Sequence, residues 1–555
     1  MTSLRAAQSK ADPADPPRAP DDRRIAALLL SLALAHLRRV WPRMSAAAPP
    51  ARWLVATLVA MVGALAGAAA VAADVARAAV NVLLALPFLT LAVWRLAALA
   101  APRRGSTASR PLSAIDWPAY TVLVPLHREA DALPGLVDAL QALDYPRDRL
   151  EILLLLEEAD GATRLAAARL DLPPEFRIVV VPDAAPRTKP KALALALLIA
   201  RGDLITVYDA EDTPDPAQLR DAALALLADP RLACVQARLA IDNAPATWLT
   251  RQFAMEYAVL FSGLLPVLVR WRAPVPLGGT SNHFRRAALL ASAGWDPYNV
   301  TEDADLGVRL HRLGYRVGLL DSETREEAVA HFQPWLRQRT RWVKGWMQTW
   351  AVHMRSPAAI VRETGWRGLF FLQLVLAGPL LSALVHPLFY VMLAADFWSG
   401  ELFRLPESAS GRLLMGVTTF NLLVGYLAAI GLTAALAIRA GARPSLAQIA
   451  GIPVYWLLMS LAAYRAVLHL ITQPHHWEKT PHAPRPSRQG DVKSGGLGHD
   501  DRDCRAGPAR VARGIGRLGP PDRDVEGLAA LGEPVEEFHE LEMLLDRHPD
   551  DDRRR

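Results

Sequence analysis

The amino-acid sequence predicts an α/β domain held between two groups of membrane-spanning α-helices. Residues 117–350 alternate short apolar runs with helical patterns, which is typical of a mostly parallel sheet covered by helices. Long apolar stretches lie on both sides of this region. The 555 residues are 52% hydrophobic, which favours a membrane protein over a purely soluble one.

Five stretches are apolar enough to cross a bilayer, which takes about 20 residues. They cover residues 53–73, 78–100, 368–395, 413–438 and 449–472. Arginines flank the first pair on its outer sides, so the positive-inside rule predicts a cytoplasmic middle region. Pro379 and Pro387 indicate a kink or a re-entrant segment, which leaves the number of spans at five or six. An alternation of sides from one span to the next then places the C-terminus outside the cell. The basic residues after the last span instead favour the cytoplasmic side.

Composition divides the chain into five parts. We predict a disordered, basic leader over 1–50, two transmembrane helices over 51–102, a folded α/β domain over 115–350, an interfacial helix with about three transmembrane segments over 351–475, and a disordered tail over 485–555. The net charge of +6 comes largely from arginines beside apolar stretches and in the tails, so nucleic-acid binding is not expected. Two cysteines provide no disulfide framework.

Acidic side chains follow two of the predicted strands. Glu157 and Glu158 end "LEILLLLEE", and Asp209 and Glu211 lie at the end of "DLITVYDAED". Ligands of such sheets bind at the carboxyl ends of the strands. Asp209 and Glu211 are two positions apart, so both carboxylates can share Mg²⁺, which also neutralises a diphosphate. An acidic turn broken by prolines is the alternative interpretation.

Two further segments contain side chains suited to a reaction site. The segment "PLGGTSNHFRR" contributes Gly279, Thr280, Ser281 and Asn282. Glycine lets the backbone approach a ligand closely, although a tight turn explains the same residues. In "NVTEDADLG", Asp303 lies in the first turn of a predicted helix, where it can act as a general base. Helix capping and the helix dipole are the alternative reason for acids there.

The segment "HFQPWLRQRTRWVKGW" carries five basic side chains and three tryptophans. A basic, aromatic helix of this kind commonly lies at a lipid interface, with arginines facing anionic headgroups and tryptophans at the boundary. We expect such anchoring from Arg337, Arg339, Lys344, Trp346 and Trp350.

Taken in order, these motifs resemble the family 2 glycosyltransferases, in particular the membrane-embedded processive branch that includes cellulose and hyaluronan synthases. The motifs are "LLLLEEADGAT", "TKPKAL", "YDAED", "LGGTSNHFRR", "TEDADLG" and "QRTRW". The resemblance covers roughly residues 118–350. It implies a Rossmann-like catalytic domain of the α/β GT-A type, inserted between the transmembrane segments of a multi-pass protein. This domain is expected on the cytoplasmic side of the inner (cell) membrane.

The resemblance implies a UDP-sugar donor, with UDP-glucose favoured, and a divalent cation, Mg²⁺ or Mn²⁺. Glu158, or alternatively its neighbour Glu157, takes the place of the acidic residue that binds uridine. Arg341 would bind the diphosphate through its forked guanidinium. The donor-binding residues are Glu157, Glu158, Lys189, Lys191, Asp209 and Arg341, and the metal is expected on Asp209 and Glu211.

The resemblance also implies an acceptor site beside a catalytic base. Asp303 matches the family's base, and Trp342 offers a sugar a flat apolar face. The acceptor-binding residues are Gly279, Thr280, Ser281, Asn282, Gln338 and Trp342. The expected reaction is a single displacement that inverts the donor linkage and extends a β-linked polysaccharide.

The implied partners are the donor, a glycan acceptor, the lipid bilayer and export or regulatory subunits. Two other functions remain open. One is a transferase that adds a single sugar to a lipid carrier, with the same fold and the same base. The other is a transport or sensory protein that no longer catalyses transfer, which the intact Asp303 and "QRTRW" make less favourable.

Overall fold

A computed structural model describes residues 20–71, 89–100, 116–400 and 404–478. The predicted tail, the first part of the leader and residues 78–88 lie outside these ranges. The strands are β1 Tyr120–Leu126, β2 Leu150–Glu157, β3 Phe176–Val181, β4 Leu204–Val207, β5 Thr213–Pro214, β6 Leu232–Ile241, β7 Asn282–Arg285 and β8 Arg316–Glu326.

The helices fall into three groups along the chain. The first group is α1 Pro20–Val40, α2 Arg52–Val71 and α3 Leu89–Ala100. Those that accompany the sheet are α4 Leu133–Gln141, α5 Gly161–Ala168, α6 Lys189–Ile199, α7 Gln218–Ala228, α8 Trp248–Val259, α9 Leu265–Arg270, α10 Arg286–Ala291, α11 Glu302–Arg312 and α12 Phe332–His353. The last are α13 Pro357–Leu372, α14 Gly378–Trp398, α15 Ala409–Phe420, α16 Leu427–Arg439, α17 Leu446–Ala450 and α18 Ile452–Thr472.

The eight strands form one sheet in the order β3-β2-β1-β4-β7-β6-β8-β5. The first four strands of this order are parallel neighbours, whereas β7 runs antiparallel to both β4 and β6. The predicted α/β class is confirmed, with a mixed sheet. Because β7 runs against β4, with Val207 opposite Asn282, the segment before β7 lies beside the end of β4. This topology brings the glycine-containing segment next to the acidic one.

Residues 20–50 differ from the predicted disordered leader. Helix α1 packs against α6 and buries Leu30 and Leu37. After α1, the Asp296 carboxylate accepts the backbone N–H of Ala46 at 2.5 Å. The Arg355 guanidinium donates to several backbone carbonyls of residues 43–49. Composition alone does not reveal this docking, because its partners lie more than 100 residues away.

Within the described ranges, three helices are long and apolar enough to cross a membrane: Trp248–Arg270, Pro357–Trp398 and Leu446–Thr472. The last two contain the predicted spans 368–395 and 449–472. A π-helical turn at Gln373–Ala377 interrupts the regular hydrogen bonding of Pro357–Trp398, and Pro387 inside its last part has no N–H to donate. The first was not predicted as a span, and more than half of its most apolar window is buried within the protein. Shorter apolar helices are Arg52–Ala68, Leu89–Ala100 and Leu427–Arg439.

Candidate active site

A cleft of about 320 Å³ lies at the carboxyl ends of β1, β2 and β4, where the sheet topology predicts a ligand site. The predicted site residues that line it are Glu157, Lys189, Asp209, Glu211, Gly279, Thr280, Asp303, Gln338, Arg341 and Trp342. The predicted residues that do not border it are Glu158, Lys191, Ser281 and Asn282. The structure therefore brings the acidic, glycine-containing and basic motifs to one place.

The two candidate carboxylates for the nucleobase, Glu157 and Glu158, have different surroundings at the end of β2. Glu157 borders the cleft, and one of its carboxylate oxygens accepts the Lys191 ammonium at 2.7 Å. Glu158 instead accepts the backbone N–H of Asp183 at 3.2 Å. Lys191 is fully buried and also donates to the Pro182 carbonyl at 3.3 Å. Lys191 thus orients Glu157 from behind, and Glu157 is the carboxylate that a nucleotide can reach.

Ser281 and Asn282 stabilise the segment around Gly279 from inside. The Ser281 hydroxyl donates to Thr324 Oγ1 at 2.7 Å, and the Asn282 amide donates to the Gly278 carbonyl at 2.5 Å. Both side chains are buried, so they support the backbone of this segment without bordering the cleft. An ideal Cβ at Gly279 would lie 3.4 Å from Asp303 Oδ2, which shows how closely this backbone approaches the candidate base.

The loop after β4 presents two carboxylates to the cleft. Asp209 and Glu211 both border it, and the buried Asp212 carboxylate accepts the Asp209 backbone N–H at 2.6 Å. The Lys189 ammonium lies 2.5 Å from Asp209 Oδ1 and 2.7 Å from the Gly279 carbonyl oxygen. The Lys189 ammonium is therefore the cation that pairs with the Asp209 carboxylate in this structure.

The residues of this loop fit a divalent metal ion supplied with phosphate ligands. Within the described ranges, no three His, Cys, Asp or Glu side chains form a metal site by themselves. Mg²⁺ commonly takes only one or two protein carboxylates and completes its shell with phosphate oxygens and water. Asp209 and Glu211 meet that requirement, and the lysine contact shows that Asp209 attracts positive charge.

Asp303 lies in the first turn of α11 and faces the cleft. Its Oδ1 accepts the backbone N–H of Ala304 at 2.8 Å. Burial raises the pKa of this carboxyl above its ordinary value of 3.8, while Lys189 and Arg341 act in the opposite direction. A carboxyl group with a raised pKa at a cleft has the properties of a general base.

Buried polar contacts fix α11 against α12. Asp305 Oδ2 accepts Arg309 at 2.9 Å, and its Oδ1 lies 3.1 Å from His353 Nε2 at the end of α12. Burial alone would raise the pKa of Asp305, but Arg309 and His353 hold it below the usual value. A Cβ at Gly345 would collide with Thr301, so only glycine allows this close approach. The base and the "QRTRW" helix therefore have a defined relative position.

Helix α12 contributes Gln338, Arg341 and Trp342 to the cleft wall. Burial lowers the pKa of the Arg341 guanidinium, and the acidic side chains of the cleft oppose this effect. Guanidinium remains charged at neutral pH, so Arg341 adds a second cation to the cleft beside the Lys189 ammonium. The expected interfacial position is wrong for Arg339 and Lys344, which are buried, whereas Arg337 is half exposed.

A segment after the last apolar helix contributes an unpredicted residue, Trp477. Its ring lies 4.3 Å from the Arg341 guanidinium carbon, and it borders the cleft. Lys344 fixes the backbone of this segment by donating to the carbonyls of Gln473 and His476 at 3.0 and 2.8 Å. Glu478 is bound by Arg465 through two hydrogen bonds of 3.0 and 2.9 Å. The run "HHWE" directly after an apolar stretch is the signal that sequence reasoning missed.

Replacing Trp477 by Ala is expected to weaken UDP binding by roughly 2- to 30-fold, the range of a cation–π contact between exposed and desolvated positions. The reason is that Arg341 loses the ring that holds its guanidinium over the cleft. Calorimetric titration with UDP measures this, with Trp477→Phe as the variant that keeps an aromatic face. Tighter binding of UDP by Trp477→Ala would show instead that the ring competes with the diphosphate.

The geometry defines a class of protein: an α/β domain with carboxylates, a base and an arginine around one cleft, attached to apolar helices. Residues 204–438 match the model of the Glycosyl transferase family group 2. The match agrees with the family 2 glycosyltransferase domain that the motifs predict, and the mixed sheet fits the GT-A type that the resemblance implies.

Curated relatives agree with this family. The probable glycosyltransferase YdaM of Bacillus subtilis is 30% identical over 41% of this chain and 56% of that protein. The beta-monoglucosyldiacylglycerol synthase of Synechocystis is 28% identical over 46% of this chain and 53% of that protein. Glucomannan 4-beta-mannosyltransferase 2 of Arabidopsis thaliana is 26% identical over 42% of this chain and 45% of that protein. The chain thus spans about half the length of the curated relatives it matches.

Among solved structures, the mannosyltransferase PcManGT from Pyrobaculum calidifontis, in complex with GDP-Man and Mn²⁺, is 20% identical to this chain. The comparison has a TM-score of 0.46 and covers 71% of this chain and 98% of that protein.

Proposed function

We propose that the protein is a membrane-integral, inverting glycosyltransferase that transfers sugar from a UDP-sugar, with UDP-glucose favoured, to a growing β-linked polysaccharide. Transfer occurs on the cytoplasmic side of the cell membrane and is coupled to export. The observation that carries this proposal is the cleft that combines Asp303, Arg341 and Trp342 with the carboxylates of the loop after β4.

The proposed reaction is one displacement at the anomeric carbon. The acceptor hydroxyl gives its proton to Asp303 as its oxygen forms the new bond to that carbon. The bond between the anomeric carbon and the diphosphate oxygen breaks, and its electron pair leaves with the nucleoside diphosphate. Arg341 stabilises the charge that develops on this leaving group. Attack from the opposite side converts an α-linked donor to a β-linked product.

The binding groups divide between the two substrates. In this proposal, Glu157, which is held by Lys191, accepts an N–H group of the nucleobase, and Lys189, which pairs with Asp209, binds the phosphates. Asp209 and Glu211 would hold a divalent cation, which neutralises the diphosphate when it is bound. Trp342 gives the acceptor sugar an apolar face.

A lipid carrier that receives one sugar is the second candidate acceptor. The cleft lining includes Leu260 and Phe261, within the apolar helix Trp248–Arg270. One relative is named for a glucosyldiacylglycerol product, which supports the same alternative. The base and the donor site would be unchanged.

The test uses the purified full chain in vesicles of phosphatidylethanolamine, phosphatidylglycerol and diacylglycerol. Radiolabelled UDP-glucose, UDP-galactose, UDP-N-acetylglucosamine and GDP-mannose are supplied separately, and products are sized after lipid extraction. We expect a ladder of water-soluble oligomers from one UDP-sugar. A single labelled glycolipid supports the second candidate, whereas transfer only from GDP-mannose contradicts the proposed donor. Absence of transfer from every donor contradicts the function.

A further inference from the structure

Trp342 is held from the protein side by a buried arginine, Arg339. The Arg339 guanidinium carbon lies 4.5 Å from the centre of the Trp342 ring and 4.1 Å from that of Phe253. The side chain is 2% exposed. A planar cation placed over an aromatic face is attracted by its negative potential, and this attraction increases when water is excluded.

A fixed ion pair determines where this guanidinium lies. Arg339 Nη1 donates to Glu256 Oε1 at 2.9 Å, and Nη2 lies 2.8 Å from Glu256 Oε2. The Tyr455 hydroxyl donates to the same Glu256 Oε2 at 2.7 Å. Glu256 is on α8, Arg339 on α12 and Tyr455 on α18. The contact thus joins the cleft helix to two of the three helices that could span a membrane.

We infer that Arg339 is a positioning residue that sets the orientation of the Trp342 ring as the acceptor platform, an inference that rests on the proposed function. Arg339 does not border the cleft, whereas Trp342 does. The guanidinium covers one face of the ring, so an acceptor sugar meets only the remaining surface. The edge-on contact of Phe253 with Trp342, with centroids 5.8 Å apart, restricts the ring from a second direction.

This role needs an arginine and not merely a positive charge. Lysine would retain a charge for Glu256, but its compact ammonium cannot lie flat between two rings or place two nitrogen atoms against the two carboxylate oxygens. A change that matters only for folding would affect donor and acceptor together. Loss of ring orientation should instead affect the acceptor alone, because Arg339 pairs with Glu256, whereas Glu157, Asp209 and Arg341 contact Lys191, Lys189 and Trp477.

The test compares Arg339→Lys with the parent protein in vesicles, using whichever acceptor the parent accepts, cellotetraose or diacylglycerol. We expect the KM for the acceptor to rise roughly 5- to 30-fold, while UDP affinity measured by calorimetry is unchanged. Products of a polymerising parent should also become shorter. An unchanged acceptor KM, or a parallel loss of UDP and acceptor affinity with a lower Tm, would overturn the inference.

Arg220→Lys is the matched control. Arg220 lies 5.6 Å from the Trp117 ring and pairs with Asp144 at 2.7 Å, but it does not border the cleft. The same substitution there should leave the acceptor KM unchanged.

If Arg339→Lys does not fold, Tyr455→Phe tests the inference instead. This variant removes one hydroxyl and keeps the ion pair between Arg339 and Glu256. A smaller rise in acceptor KM supports the inference and no rise overturns it. Absence of transfer by the parent would contradict the proposed function, whereas transfer with an unaffected acceptor KM in the variants contradicts only the role of Arg339.

Discussion

Replacing Asp303 by Asn is expected to lower transfer by about 10²- to 10⁴-fold, the usual effect of losing a general base. The amide keeps the shape and can still accept the N–H of Ala304, but it cannot take the proton of the acceptor hydroxyl. UDP should therefore still bind. Initial rates with labelled donor and calorimetric titration with UDP separate the two effects.

Two variants serve as controls for this loss. Asp321→Asn changes an exposed carboxylate that pairs with Arg238 at 3.1 Å outside the cleft, so activity should be retained. Glu302→Gln changes a neighbouring buried carboxyl of the same helical turn that also borders the cleft. Near-normal transfer by Asp303→Asn together with inactive Glu302→Gln would assign the base to Glu302.

The pH dependence provides an independent check on Asp303. Burial raises the pKa of this carboxyl above 3.8, and a base works only in its deprotonated form. The acid limb of kcat/KM, which reports on the free enzyme, should therefore lie above the ordinary aspartate range and disappear in Asp303→Asn.

Removing divalent cations is expected to lower transfer about 10²-fold or more, because several kcal/mol of leaving-group stabilisation would be lost. The binding readout is calorimetric titration of UDP with and without added MgCl₂ or MnCl₂. UDP should bind more tightly with the metal in the parent, and this gain should be lost in Asp209→Asn. Restored activity on adding back metal excludes damage by the chelator. Full turnover in excess chelator would show that Lys189 and Arg341 suffice for the diphosphate.

The sequence predicts the polar edge of the sheet because its signals are local. An acidic residue that follows a buried strand must lie at that strand's carboxyl end, so the order of residues alone assigns Glu157, Asp209 and Glu211 to one edge. Within the segment 279–282, the polarity of the side chains does not indicate which of them face the cleft. Ser281 and Asn282 point into the protein, and a turn with a positive φ at Ser281 is not visible in a polarity pattern.

The charged residues of α12 show why other parts could not be predicted. A basic, aromatic sequence fits both a lipid interface and a buried network, and the difference lies in partners that are distant in sequence. Arg339 is buried because Glu256 lies opposite it, 83 positions earlier. Lys344 is buried because carbonyls about 130 positions later accept its protons. The role of Trp477 could not be predicted for the same reason, because its contact with Arg341 joins residues that are distant in sequence.

The configuration of the newly formed glycosidic bond tests the central claim most directly. The purified protein in vesicles receives the active UDP-sugar, whose sugar is α-linked, and the product is examined by NMR before any other enzyme is added. Single displacement with Asp303 as base predicts that the transferred gluco-configured sugar is β-linked, recognised by the large coupling of its anomeric proton. An α-linked product would require two displacements or front-side attack, and it would contradict the proposed mechanism.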